Sequence, residues 1–269
     1  MEDTPDMSNT SQIFIELAGE LRRQMVIKLS QESIRLTELA KELNAAMQEA
    51  HRNINSLIEV GLIEKDPEGL LSLTTYGRIM LKQLPTFAFL TEHKEYFTEH
   101  TLGDLPMKFI QRLGALYNSE IIDGVVRVLE TWKNIYHNAN EYIYEVMAQV
   151  PLDLIEPLVE KINNGVKFSY IFAEDVVVPK GRLELLQKLG WRDLMTKGMV
   201  ERKMADKVQV MTVLNEKQAS VLFPNLKGEA DLNTMFYSDD PLFHEWCLDY
   251  FRYKWYGSDI FDETKVKEI

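Results

Sequence analysis

LTELAKELNAAMQEAHRNINSLIEVGLIEKDPEGLLSLT, residues 36 to 74, is the stretch on which the fold turns. Leu36, Leu39, Ala40 and Leu43 fall on one stripe at helical spacing, which predicts a short helix over 36–43. Thr37 is placed to cap it, and Glu38 sits in its first turn, where the helix dipole favours an acid. Asn44-Ala45-Ala46 is a tight break. A third helix follows over 47–60, with Ala50, Ile54, Leu57 and Ile58 inward and Gly61 as its left-handed stop. Residues 62–65 read as a short strand, Asp66-Pro67-Glu68-Gly69 as a turn, and 70–74 as the returning strand.

Working outward, Ile13, Leu17, Leu21, Met25 and Leu29 recur every four residues, so 11–29 is expected to be one helix. Downstream, Tyr76, Ile79, Met80 and Leu84 share a face of a helix that begins at Thr75. The order helix, helix, break, helix, glycine, two-stranded wing, helix is that of a winged helix-turn-helix, predicted for 11–84. With its apolar stripe packed inward, the third helix presents Gln48, Glu49, His51, Arg52 and Asn55 to water. Gln and Asn pair two-pronged with adenine and Arg with guanine, so Gln48, His51, Arg52 and Asn55 are the candidate readers of double-stranded DNA. Lys65 on the wing, with Arg35 and Lys41 beside the second helix, are the candidate phosphate contacts.

The net charge of −12 runs against that reading, since a nucleic-acid domain usually carries a basic footprint. The imbalance is uneven. From Ser11 to Lys82 acids and bases nearly cancel, and most of the acidity follows Pro85. Modest electrostatic affinity is therefore expected, with a homodimer needed to double the contacts. The acidic balance keeps an alternative open: a winged-helix scaffold for protein–protein interaction without direct DNA binding.

After Pro85 the pattern changes. Residues 85–138 read as a helical linking or dimerising region, with helices over 87–97, 104–117 and 119–138. Residues 139–269 alternate strands (141–148, 166–172, 200–204, 208–214, 219–223) with helices (151–163, 181–189), and an aromatic-rich helix over 239–256 is expected to cross the sheet. The fold class is thus α+β: a winged helix-turn-helix followed by an α/β regulatory domain.

No catalytic or metal residues are assigned. None of the five histidines has a lysine two places on, so the H-x-K pattern of phospholipase-D chemistry is missing, and no P-loop or nucleophile elbow occurs. The histidines lack metal-ligand spacing, and no cofactor is expected. Cys247, the single cysteine, lies in an apolar stretch and reads as a buried structural thiol. Glu174 and Asp175 follow a strand end but read as a solvated turn, and Trp132, Trp191, Trp246 and Trp255 as core or interface anchors. Met1 to Thr10 is polar and acidic, unlike a signal peptide, and no apolar run is long enough for a membrane span; a cytoplasmic protein is expected.

Residues 36–43, 54–65 and 73–77 resemble the archaeal winged helix-turn-helix regulators. Where many of these carry Thr or Ser early in the third helix, this chain has Met47-Gln48-Glu49. Leu105-Pro106, Arg112 to Leu116, Asn164 to Ile171 and Phe236 to Trp246 are similar to archaeal regulators of the methanogenesis-regulator type, whose regulatory domain is related to that of the sugar-sensing TrmB regulators. The resemblance implies a non-catalytic, phospholipase-D-like domain used for sensing a small-molecule effector or for dimerisation.

Overall fold

The computed structural model describes residues 11–149, 151–174 and 176–268. Met1 to Thr10 and Asp175, read above from sequence, lie outside them. The chain divides into two compact units, Met1–Leu84 and Pro85–Ile269.

In the first unit, α1 (Ser11–Ala18) and α2 (Glu20–Gln31) replace the single helix expected over 11–29. The break is at Gly19, whose φ of −71° and ψ of 124° are extended. Arg22 and Arg23 reach back to satisfy the carbonyls that end α1. The Arg22 guanidinium donates to Glu16 at 2.7 Å and Ile15 at 3.0 Å, and that of Arg23 to Ala18 at 2.8 Å and Leu17 at 3.2 Å. Next come β1 (Ile34–Arg35), α3 (Leu36–Glu42), α4 (Met47–Glu59), β2 (Ile63–Lys65), β3 (Leu70–Leu73) and α5 (Thr75–Leu81). β1, expected as a plain connector, pairs antiparallel with β3, which pairs with β2, so the wing is the outer part of a three-stranded sheet. Thr37 does not cap α3. Arg35 occupies the N-cap position and its N–H donates to Glu38 at 3.4 Å. Met25, Val26, Leu29, Leu39, Ala50, Ile54, Leu57, Leu62, Leu71 and Leu73 form the core. Each such side chain contributes on the order of 1.5–3 kcal/mol for Leu- or Met-sized groups.

From Pro85 the second unit takes in the rest of α6 (Leu84–Glu92), then α7 (Tyr96–Glu99) and α8 (Met107–Ile110). Then follow β4 (Glu120–Asp123), α9 (Val125–Asn138), β5 (Tyr142–Met147), α10 (Ile155–Asn163), β6 (Lys167–Ala173), β7 (Val177–Val178), α11 (Arg182–Lys188) and α12 (Trp191–Thr196). The chain finishes with β8 (Val200–Ala205), β9 (Met211–Leu214), β10 (Ala219–Leu222), β11 (Thr234–Ser238), α13 (Pro241–Gly257), β12 (Asp259–Ile260) and β13 (Lys267–Glu268). The helix expected over 119–138 begins as a strand, β4, and turns into α9 at Gly124, whose φ is +94°.

Among the described residues the main sheet runs β12-β8-β6-β5-β9-β10-β11-β4. β5, β6 and β8 are mutually parallel; the other neighbours are antiparallel. One lateral margin is β4, with Glu120 and Asp123 exposed; the other is the two-residue β12, with Asp259 and Ile260 exposed. Successive strand residues face opposite sides. Tyr144 stacks on Phe251 of α13 at 4.4 Å, whereas its neighbour Glu145 accepts from Trp132 of α9, so α13 and α9 cover opposite faces. Residues 85–138 share this core: Phe89, Phe109, Leu116, Val128 and Trp132 are buried with the sheet residues.

Candidate nucleic-acid interface

The third helix is set by its two ends. At the start, Asn44 takes a left-handed φ of +50°, and the Ala45 N–H donates to the Ala40 carbonyl at 2.9 Å, turning the chain tightly from α3 into α4. At the end, Gly61 (φ +76°) lets the Leu62 N–H reach the Leu57 carbonyl at 3.0 Å and its own N–H reach Ile58 at 2.9 Å. Ala50, Ile54 and Leu57 are buried as expected, Ile58 is half-buried, and Asn53 joins the buried side.

On the opposite side Gln48, Glu49, His51, Arg52, Asn55 and Glu59 are exposed. Gln48, Arg52 and Asn55 lie one turn apart along the same row. The Asn55 amide lies 3.3 Å from His51 Nδ1, so these two are already oriented by one another. No ion pair engages Arg52 among the described residues. The row thus presents amide, guanidinium and imidazole groups that match base edges, with a carboxylate at each end in Glu49 and Glu59.

Arg35, Lys41 and Lys65 are exposed, and no ion pair holds them among the described residues. Three other bases of the unit, Lys28, Arg22 and Arg23, are committed. Lys28 is bonded to Glu32 at 2.7 Å and Glu42 at 2.9 Å, which push its ammonium up to about 12, and Arg22 and Arg23 cap α1. The wing tip surrounds Lys65 with the exposed acids Glu64, Asp66 and Glu68. Asp66 is structural there, since its carboxylate accepts from Leu70 N–H at 2.7 Å.

Sequence reasoning missed the residues that fix the wing to α4. Thr74 donates to the Gly61 and Leu62 carbonyls and accepts from Gly77 N–H at 2.9 Å, capping α5. Gly77 packs so closely on Leu62 that a Cβ would fall 2.1 Å from its carbonyl oxygen. The Thr74–Gly77 spacing was a capping signal that could have been read.

In the second unit the histidines are dispersed. His93 is buried edge-on against Phe89, His100 pairs with Asp231 at 2.8 Å, and His244 Nε2 lies 2.7 Å from the Asn215 carbonyl. Cys247 is buried, which pushes its thiol well up. Among the described residues no group of His, Cys, Asp and Glu could hold a metal ion, and no helix is long and apolar enough to cross a membrane.

No family model and no curated protein matches the chain. Solved structures do. The fold is similar to TrmBL2, an archaeal chromatin protein described as showing a novel mode of DNA binding, at 14% identity over 93% of this chain and 100% of that one, with a TM-score of 0.41. It is also similar to NucT from Helicobacter pylori, at 11% identity over 54% of this chain and 99% of that one, TM-score 0.42. A third is Nuc from Salmonella typhimurium, a phospholipase D family member, at 10% identity over 54% and 100%, TM-score 0.40.

Proposed function

We propose that this chain is a cytoplasmic, homodimeric transcription regulator of archaeal type whose α4 enters the major groove of duplex DNA and reads sequence there, and that it is not an enzyme. Residues 11–84 are its winged helix-turn-helix; the remainder, 85–138 in dimerisation and 139–269 in regulation, controls it. One observation carries the reading: the face of α4 opposite its buried stripe bears Gln48, His51, Arg52 and Asn55, exposed. Gln48 and Arg52 reach base edges from the first turns, and Asn55 holds His51 in place. Arg35, Lys41 and Lys65 touch phosphates on either side.

The test is selection of bound fragments from genomic DNA by the full chain, followed by gel shifts at several salt concentrations. Retention that weakens with salt, and an Arg52→Ala variant that loses ~5- to ~150-fold of its preference for the selected site, are the expected results. Salt-insensitive or absent retention, or an Arg52→Ala variant with unchanged preference, refutes the reading. The acids Glu64, Asp66 and Glu68 around Lys65 favour the second reading, a scaffold that docks a basic protein surface. A chain that retains no DNA under any salt condition speaks for it.

A further inference from the structure

The parallel register of β5, β6 and β8 sets Glu145, Tyr170 and Arg202 side by side on one face of the sheet. Two residues on, Met147, Phe172 and Met204 stand in line on the same face. Trp132 and Tyr136 of α9, Leu158 of α10, Arg182 of α11 and Trp191 of α12 close over this row around an inner chamber of about 30 Å³. That is room for one small polar group. Outside it lies a recess of about 560 Å³, which shares Tyr170, Arg182, Leu186 and Trp191 as walls.

Four polar atoms here are left without a hydrogen-bond partner. Glu145 is 0% exposed. Its Oε1 accepts from the Trp132 indole N–H at 2.7 Å and from the Tyr136 hydroxyl, and its Oε2 has no partner. The Tyr170 hydroxyl, Arg182 Nε and Trp191 Nε1 are likewise buried without a hydrogen-bond partner. Four orphaned polar atoms around one small space are costly at about 1–3 kcal/mol each, more for the charged ones, unless something occupies it. Three of the four are N–H or O–H groups, so the missing partner is chiefly an acceptor.

Its charge follows from the guanidiniums that line the space, Arg182, Arg192 and Arg202. Arg182 and Arg202 both lie beside the Tyr170 hydroxyl and repel one another. Arg202 is neutralised by Glu263 at 2.5 Å and lies over the Phe261 ring at 4.2 Å. Arg182, 8% exposed, rests 5.2 Å over the Phe172 ring, and no carboxylate lies within ion-pair distance of it among the described residues. Glu268, an exposed acid whose charge acts on it from a distance, accepts from the Leu183 N–H at 2.9 Å. A buried cation without a counter-ion calls for an anion. Across the recess the three guanidiniums Arg182, Arg192 and Arg202 face the two carboxylates Glu263 and Asp193, an excess of one positive charge, which favours a singly charged anion over a doubly charged one. Leu183, Leu186, Met195, Phe261 and Val266 give the recess apolar walls.

We infer that this chamber and recess form a binding site for a small organic monocarboxylate with an apolar body, the carboxylate held by Arg182, Trp191 and Tyr170 and the body lying against Phe261 and Met195. The site is contained in the second unit and does not depend on the DNA-binding reading, because it is tested without DNA.

The test titrates the full chain with benzoate, following Trp fluorescence, heat and Tm, with benzamide as the uncharged counterpart and inorganic phosphate as a non-organic anion. Benzoate is expected to give a saturable signal at millimolar concentrations and to raise Tm, and benzamide and phosphate to give neither. Arg182→Gln and Trp191→Phe are expected to weaken benzoate by ~10-fold or more, as loss of a hydrogen bond to a charged group does. Trp191→Phe keeps the ring and removes the indole N–H, so it reads the site even where Arg182→Gln does not fold. No saturable benzoate signal, equal binding of benzamide, tighter binding of phosphate, or variants that bind benzoate as the parent does overturns the inference.

Discussion

The hydroxyl of Thr74 donates to the carbonyl oxygen of Gly61 at 2.6 Å, tying the end of the wing to the end of the exposed helix. The Thr74 hydroxyl oxygen in turn accepts from Gly77 N–H at 2.9 Å. Thr74→Val keeps shape and loses both bonds, and is expected to cost the first unit about 1–2 kcal/mol in urea unfolding. Thr74→Ser is expected to recover most of it. A Val variant as stable as the parent removes the hydroxyl from the account.

Gly77 is the tightest contact in that joint. With the Leu62 carbonyl oxygen 2.1 Å from where a Cβ would stand, Gly77→Ala must push backbone against backbone and should cost about 1–3 kcal/mol or more. Gly257, with nothing within 4 Å, is the control: Gly257→Ala should be neutral or slightly stabilising. Thermal unfolding of the two variants separates these outcomes.

If α4 and the wing face phosphates, their acids work against binding. Glu49→Gln and Glu68→Gln are then expected to tighten DNA binding severalfold at low salt, with the gain fading as salt rises. A scaffold docking on a basic partner would show the reverse, with weaker partner capture and no change in DNA retention. Gel shifts of the two variants over a salt series check this.

Glu145 makes stability pH-dependent. Burial pushes its carboxyl up to about 7 from the ordinary carboxyl value of 4.5, against the opposing pull of the Tyr136 and Trp132 hydrogen bonds. The folded chain therefore holds this proton more tightly than the unfolded one. The stabilisation is fully present below about pH 4.5 and is lost as pH rises through about 7, a change on the order of 3 kcal/mol. Glu145→Gln keeps an acceptor for Trp132 and cannot ionise. Its stability relative to the parent is expected to climb between about pH 5 and about pH 8 in urea titrations. A difference that stays flat with pH would show that Glu145 does not titrate in the folded chain.

The first unit was largely readable because its signals are local. Gly61 and the stripe Ala50, Ile54, Leu57 define α4 without reference to distant residues, and the turn 66–69 defines the wing. The miss at Gly19 has a local cause: Ile13, Leu17, Leu21 and Met25 keep step across the break, so the period hides it. β1 is two residues long, too short to show alternation. In the second unit β4 was hidden because Ile121 and Ile122 run on into the apolar spacing of α9. The Glu145 cluster was invisible for a different reason. Its members come from β5, β6, α9, α11 and α12, and only the parallel register brings Glu145 beside Tyr170. The outward row on α4 could be named from periodicity, whereas the acids crowding Lys65 acquire meaning only once the wing is folded.

The carboxylates at both margins of the large sheet, Glu120 and Asp123 on β4 and Asp259 on β12, act as a barrier to growth. A strand from a second molecule laid alongside would bring like charges together and find, at β12, only two residues to zip onto. Ribbon-like aggregation through these margins is thereby discouraged.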